Sequence, residues 1–333
     1  MHCCSRCQRP AVTEFHSPRR RADPESLIAS ARAGDARALG RLISLVENRS
    51  PELRPVMKAI APYTGTARVI GITGAPGVGK STVTSALAAA YRAAGMRIGV
   101  LAVDPTSPFS GGALLGDRVR MQDHATDDGV FIRSMASRGH LGGLSLATPQ
   151  ALRVLDAAGF GLIIIETVGV GQAELEIASL ADSTLVVVAP GMGDSVQAAK
   201  AGILEIADIF VVNKSDRPAA HEAVRDLRTM VAMGNWGEGS WRPPIVSTVA
   251  VAGTGMDDLT EKIGAHWSWL ASSAELASRR RARAREEVAA IAVAVLRGRL
   301  GGLPGDSRLD ELAGRVAAGQ LDPYSAADEL VSG

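Results

Sequence analysis

The feature that most restricts the fold of this chain is an octapeptide of the pattern G-x-x-x-x-G-K-S. It stands between an apolar run that predicts a strand, 69–73, and a stretch that predicts a helix, 82–94. In that position the glycines let successive backbone N–H groups turn towards one anion, and the helix N-terminus adds the positive end of its dipole. The motif therefore predicts a phosphate-binding loop, which reads Gly74-Ala75-Pro76-Gly77-Val78-Gly79-Lys80-Ser81.

Short apolar runs recur along the chain after residue 67, separated by stretches long enough for helices. They are rich in Val and Ile and nearly continuous, which is typical of parallel strands buried on both faces. The sequence therefore predicts the α/β class, with a P-loop NTPase fold whose mostly parallel central sheet is flanked by helices, plus N-terminal and C-terminal helical extensions. The predicted strands are Arg68–Thr73, Ile98–Val103, Val130–Ser134, Leu162–Glu166, Thr184–Ala189, Ile209–Asn213 and Ile245–Val249.

The chain is expected to divide into four parts. The sequence predicts a disordered tail over residues 1–22. It predicts an N-terminal helical segment over 23–62, with a break at 34–35. The P-loop domain is expected over 63–255. Apolar residues at helical spacing then predict a C-terminal helical arm over 256–333. The apolar face of such an arm must pack on the P-loop domain or on a second copy of the chain. Packing on a second copy would give a dimer, and the alternative is a monomer in which the helices cap the sheet.

Composition and cysteine usage narrow the cellular setting. Thirty-six Lys and Arg oppose 35 Asp and Glu, so the net charge of +1 does not suggest a nucleic-acid coat protein. No apolar run approaches the roughly 18 residues of a membrane span, and no secretory signal is evident, so we expect a cytoplasmic protein. All three cysteines, Cys3, Cys4 and Cys7, precede the body of the chain. Cys4 and Cys7 form a C-x-x-C pair. A zinc site is the less favoured alternative for this pair, because the sequence has no second C-x-x-C.

A second motif, Asn213-Lys214-Ser215-Asp216, follows an apolar run and indicates which base is bound. Guanine presents two adjacent donors, N1–H and N2–H₂, and a carboxylate at Asp216 would accept both, whereas adenine presents an acceptor at N1. We therefore expect GTP and GDP as ligands, with backbone N–H groups of 247–249 near the guanine O6. The residues expected around the nucleotide are Gly74, Ala75, Pro76, Gly77, Val78, Gly79, Lys80, Ser81, Thr82, Asn213, Lys214, Asp216, Ser247, Thr248 and Val249.

Candidate groups for magnesium and catalysis lie between these motifs. Lys80 is expected to bridge the β- and γ-phosphates, and the hydroxyl of Ser81 to bind Mg²⁺. Asp104, Asp117 and Glu166 are the candidate acids for the same ion. A turn cap remains an alternative for Asp104, and a solvated loop carboxylate for Asp117.

A glycine completes the predicted catalytic set of Lys80, Glu166 and Gly169. The backbone N–H of Gly169 could move onto the γ-phosphate. Its neighbour Val170 takes the place where a water-orienting glutamine would be expected, so we expect slow intrinsic hydrolysis.

Taken together, these stretches resemble the G-protein chaperones of methylmalonyl-CoA mutase, the MeaB or ArgK type of P-loop GTPase. The likeness covers roughly residues 24–331, and the Glu-Thr-Val-Gly-Val-Gly-Gln string is its most specific part, since most GTPases carry Asp at its first position. The matching stretches are 71–82, 103–108, 111–117, 166–172, 213–216 and 321–324.

The resemblance implies a GTPase that docks on an adenosylcobalamin-dependent mutase, gates cofactor loading and protects the radical enzyme. It also implies a homodimer formed through the C-terminal arm. A GTPase serving another acyl-CoA mutase, a nickel-insertion GTPase and a kinase or transport ATPase are the alternatives. The basic run Arg279–Arg285 could suggest RNA binding, but Glu286 and Glu287 follow at once, so a solvated helical face is expected.

Overall fold

The computed structural model describes residues 23–105, 127–137, 147–167, 173–191, 203–299 and 307–332. The expected tail, 1–22, lies outside these residues, and so do Asp117 and Gly169. The backbone of Asp104 is described, but its side chain is not.

Seven strands form one parallel sheet in the described chain, in the order β3-β2-β4-β1-β5-β6-β7. Their apolar runs are buried throughout β4, β5 and β6, as expected of strands covered on both faces. The predicted α/β class and parallel sheet are confirmed. The bounds are β1 Arg68–Thr73, β2 Ile98–Pro105, β3 Val130–Ser137, β4 Leu162–Thr167, β5 Ser183–Val188, β6 Ile209–Val212 and β7 Ile245–Ser247.

Some strand ends differ from the predicted ones. Strands β2 and β3 continue past their apolar runs because they pair with each other as far as Pro105 and Ser137. Strand β7 ends at Ser247, two residues before its predicted end. Hydrogen-bonded pairing, which a single apolar run does not encode, decides these ends.

Helices cover both faces of the sheet and extend the chain at both ends. Asp35 accepts hydrogen bonds from the N–H groups of Arg37 and Ala38, which begins the second helix after the predicted break. The bounds are α1 Pro24–Arg32, α2 Ala36–Glu47, α3 Leu53–Ile60, α4 Lys80–Ala93, α5 Ala147–Ala157, α6 Ala173–Leu180, α7 Ile203–Ile206, α8 Ala220–Met233, α9 Met256–Ser272, α10 Glu275–Arg299, α11 Ser307–Ala317 and α12 Pro323–Ser332.

The buried side chains separate the helices into layers. Helices α1, α2, α3, α5 and α6 share one apolar cluster with the sheet, and α4 and α9 share the cluster on its other face. Helix α8 packs against β5 and β6 in a third cluster. None of the described helices is both long and apolar enough to cross a bilayer.

The first half of α10 is held on the amino-terminal edge of the sheet by ion pairs. Arg279 binds both carboxylate oxygens of Asp208 at 2.9 Å. Arg280 and Arg283 bind Asp182, at 3.1 and 3.3 Å. The prediction of a solvated face is therefore wrong for these three arginines, because their partners are acids that only the folded sheet brings near.

The second half of α10 is different, since it exposes large apolar side chains. Val288 is 67% exposed and Leu296 is 56% exposed. Ile291 and Val293 are exposed as well. The helix therefore has an anchored half and an uncovered apolar half.

Asp208 is the centre of a buried polar cluster where α9 and α10 meet the sheet. Its Oδ2 accepts a hydrogen bond from the N–H of Thr184 at 2.7 Å, and its Oδ1 lies 3.2 Å from Nε2 of His266. Nδ1 of His266 lies 2.8 Å from Oγ of Ser183. Burial acts to raise the pKa of Asp208, but His266 and Arg279 outweigh it, and the pKa is lowered.

Replacing Asp208 with Asn should lower the free energy of unfolding by about 3 kcal/mol at neutral pH, because the Arg279 guanidinium loses its partner. An Asp with a lowered native pKa stabilises the fold above its ordinary pKa and loses this effect as pH falls through the native value. The difference between wild type and variant should therefore shrink below about pH 4. Urea unfolding across this range measures it. The control is Asp226→Asn, which changes an exposed residue. An Asp208→Asn variant as stable as this control would contradict the prediction.

Candidate nucleotide site

The site lies at the carboxyl edge of the sheet, above β1. Strands β4 and β5 flank β1 on either side, so the loop after β1 begins at the point where the strand order reverses. Open parallel sheets bind their ligands at this position. The ends of β4 and β6 carry the other candidate residues, Glu166 and Asn213, to the same edge.

At two positions in the loop after β1, close contacts leave room only for glycine. Gly74 has φ 140°, and a Cβ there would lie 2.1 Å from the carbonyl oxygen of Val187. Gly79 has φ 94°, and its Cβ would lie 2.4 Å from Nδ2 of Asn213. The loop therefore packs tightly on β5 and on the second motif, which only residues without a side chain permit.

Lys80 is the first residue of α4, two residues before the predicted start of the helix. Its side chain is 6% exposed, and Nζ donates to the carbonyl oxygens of Gly74 and Ala75 at 2.8 and 3.2 Å. The ammonium group thus lies inside the curve of the loop. The first turn of a helix also supplies N–H groups that no intrahelical carbonyl accepts.

Ser81 and Glu166, predicted from distant parts of the sequence, are in direct contact. The hydroxyl of Ser81 donates to Oε1 of Glu166 at 2.5 Å, and both side chains are buried. A hydroxyl beside a carboxylate at the start of this helix is a pair of hard oxygen donors, which fits Mg²⁺. Of the other candidate acids, Asp117 and the side chain of Asp104 lie outside the described structure.

Asn213 joins three segments of the site. Its Nδ2 donates to the carbonyl oxygen of Val78 in the loop after β1, at 3.0 Å. Its Oδ1 accepts from the N–H of Ala250 at 3.1 Å and from the hydroxyl of Thr248 at 3.3 Å. The side-chain amide therefore fixes the phosphate-binding loop relative to the segment after β7.

The rest of the second motif extends from this junction towards solvent. Lys214 adopts a left-handed conformation, φ 57°, and Nζ donates to the carbonyl oxygen of Gly77 at 2.7 Å. Asp216 is exposed, so its carboxylate is open to a ligand. After β7, the side chain of Thr248 is buried and that of Ser247 is exposed. Val249 is half-buried beside them.

Two contacts in the site were not predicted from the sequence. Thr73 and Thr167 are buried, and their hydroxyls meet at 3.3 Å between the ends of β1 and β4. Ala250, which binds Asn213 through its N–H, lies one residue beyond the predicted segment. The polar residues at the ends of otherwise apolar runs were the available signal for the threonine pair.

This chain is similar to several known proteins in sequence or in structure. A Pyrococcus abyssi protein named as a GTPase is 47% identical over 309 residues, 92% of this chain and 95% of that protein. The mouse "Methylmalonic aciduria type A homolog, mitochondrial" is 35% identical over 246 residues, 73% of this chain and 57% of that protein. The crystal structure of a LAO/AO transport system kinase superposes with a TM-score of 0.70 at 26% identity, covering 94% of this chain and 97% of the other.

The family model of the methylmalonyl-CoA mutase-associated GTPase MeaB matches residues 39–301. This range contains the phosphate-binding loop, the Ser81–Glu166 pair and the Asn213 junction. The predicted resemblance is confirmed, and the chain belongs to the MeaB family of GTPases.

Proposed function

We propose that this protein is a GTP-hydrolysing chaperone of an adenosylcobalamin-dependent methylmalonyl-CoA mutase, gating cofactor loading and protecting that enzyme. The observation that carries the GTPase part is the junction at Asn213, which couples the phosphate-binding loop to the segment expected to read the base. The mutase part rests on family membership and on the mouse relative, whose name refers to methylmalonic aciduria. The alternative partner is another acyl-CoA mutase.

The proposed roles follow from the positions of the side chains. N–H groups around Gly77 and Gly79 bind the phosphates, and Lys80 turns its ammonium from the loop carbonyls to the β- and γ-phosphates. This charge stabilises the negative charge that develops on the transferred phosphoryl group. Asp216 accepts the N1–H and N2–H₂ donors of guanine, and the Gly169 N–H approaches the γ-phosphate.

Magnesium is proposed to bind beside the Ser81–Glu166 pair. Glu166 accepts a hydrogen bond from the hydroxyl of Ser81, which leaves the oxygen lone pairs of Ser81 directed away from Glu166. Asp104 and Asp117 are the further proposed ligands. When bound, the ion would neutralise charge on the β- and γ-phosphate oxygens.

Association with the mutase should depend on the nucleotide, because only a γ-phosphate can hold Gly169 and its neighbours in place. We expect the affinity for methylmalonyl-CoA mutase to differ several-fold between the GDP-loaded protein and the protein loaded with a non-hydrolysable GTP analogue. Calorimetric titration of the mutase into each form measures this. Equal affinities would remove the switch while leaving the GTP site intact, and no association in either state would remove the mutase as partner.

We also propose a homodimer formed through the uncovered half of α10. Exposed apolar side chains along a helix favour burial against a partner surface. Light scattering of the full chain at micromolar concentration should give the mass of a dimer, and Val288→Asp should shift it towards the monomer. Ala277→Asp is the control, since this exposed residue lies on the anchored half of α10. A wild-type monomer would refute the dimer.

A further inference from the structure

A cavity of about 540 Å³ opens at the amino-terminal edge of the sheet, opposite the nucleotide site. The start of β6, the end of α8, the 234–243 segment and helices α9 and α10 form its walls. Three of the four tryptophans of the chain, Trp236, Trp241 and Trp269, line it. Aromatic residues are only 4% of the sequence, so this concentration sets the cavity apart.

The three indole rings are fixed by hydrogen bonds to the backbone. Trp236 donates to the carbonyl oxygen of Val231 at 2.6 Å, Trp241 to that of Asp208 at 2.8 Å, and Trp269 to that of Gly239 at 3.0 Å. Because each ring N–H already has an acceptor, the ring atoms left to line the cavity are carbons. Such walls attract apolar groups and, through the ring quadrupole, cations.

The charges in the lining favour a cation. Asp208 and Arg279 form a bidentate pair and neutralise each other. Glu205 is exposed and lines the cavity, and it makes no hydrogen bond or ion pair with any residue in the described part of the chain. Among the described residues, the lining therefore carries one negative charge without an opposite partner, and it lies beside three aromatic rings.

We propose that this cavity binds an ammonium or guanidinium group on an alkyl stem, supplied by a lysine or arginine side chain of a partner protein. The stem would lie against the indole rings while the charged group meets Glu205. A protein source is favoured by the surface around the opening. Trp236 is 38% exposed and Met233, next to the lining residue Gly234, is 80% exposed, and both residue types are enriched in protein interfaces.

The test follows the four indole N–H signals of the ¹⁵N-labelled full chain by NMR, assigned with single Trp→Phe variants. Titration with n-butylammonium should shift the signals of Trp236, Trp241 and Trp269 but not that of Trp267, which lies outside the cavity lining. The matched neutral probe, n-butanol, should bind about fivefold more weakly. Unshifted indole signals, or equal binding of the two probes, would overturn a cation site.

Two variants distinguish a direct contact of Glu205 with the probe from a general effect of negative charge on binding. Glu205→Gln should narrow the difference between n-butylammonium and n-butanol to the part that the indole rings supply, whereas Glu238→Gln, which changes an exposed acid of the 234–243 segment outside the lining, should leave n-butylammonium binding unchanged. Thermal unfolding checks that both variants fold. A blocked Leu-Lys-Leu peptide should bind more tightly than n-butylammonium because its leucines can contact Met233 and Trp236. A peptide that binds no better would overturn the protein source.

Discussion

Replacing Lys80 with alanine is expected to lower the rate of GTP hydrolysis by about two to three orders of magnitude, the cost of removing one preorganised charge from a transition state. Nζ of Lys80 lies inside the loop, 2.8 Å from the carbonyl oxygen of Gly74, so a bound phosphate would need only a short movement of the side chain. No other described lysine offers an equally buried ammonium there, since Lys214 binds Gly77 from the outer, exposed side. Single-turnover release of phosphate measures the effect.

The control for this variant is Lys262→Ala, which removes an ammonium from the exposed side of α9, where it pairs with Glu261. It should hydrolyse GTP at the wild-type rate. Circular dichroism on heating shows whether Lys80→Ala still folds, because the change also removes two hydrogen bonds within the loop. A folded Lys80→Ala variant with wild-type hydrolysis would show that the proposed role of this residue is wrong.

The sheet and much of the candidate site were predictable because their signals are local in the sequence. A strand buried on both faces must be apolar along its whole length, and this is why β4 was identified from Leu162 to Glu166. Motif residues likewise stand at strand ends, and parallel strands bring those ends to one edge. Ser81 and Glu166 are 85 residues apart, yet each could be placed from its own short segment.

The contacts that hold α10 could not be predicted in this way. Arg279 and Asp208 are 71 residues apart, and neither belongs to a pattern that identifies the other. A basic run followed by two glutamates has the same local composition on a solvated helix and on an anchored one. His266 illustrates the same limit, since its burial depends on Ser183 and Asp208, which only the assembled sheet places beside it.

Asp216→Asn is expected to weaken binding of GDP about ten- to a hundredfold, because the amide oxygen can accept only one of the two guanine donors, and the lost hydrogen bond to a charged group contributes roughly 1.5–3 kcal/mol. The same change should strengthen binding of xanthosine diphosphate, since an amide can donate to the acceptor that xanthine carries where guanine has its amino group. The carboxylate is exposed at the site edge, while Asn213 and Lys214 hold the phosphate-binding loop from the other end of the motif. The base preference should therefore change without loss of the phosphate contacts.

Competition between the two diphosphates for a fluorescent analogue measures this change of preference in one assay. The exposed Asp226→Asn variant on α8 serves as the control, because it removes an equal charge away from the site and should retain the wild-type preference for guanine. ADP should bind far more weakly than GDP to the wild type, since adenine presents an acceptor to the Asp216 carboxylate. Equal binding of ADP and GDP to the wild type, or an Asp216→Asn variant that still prefers GDP, would remove Asp216 from the base-reading role.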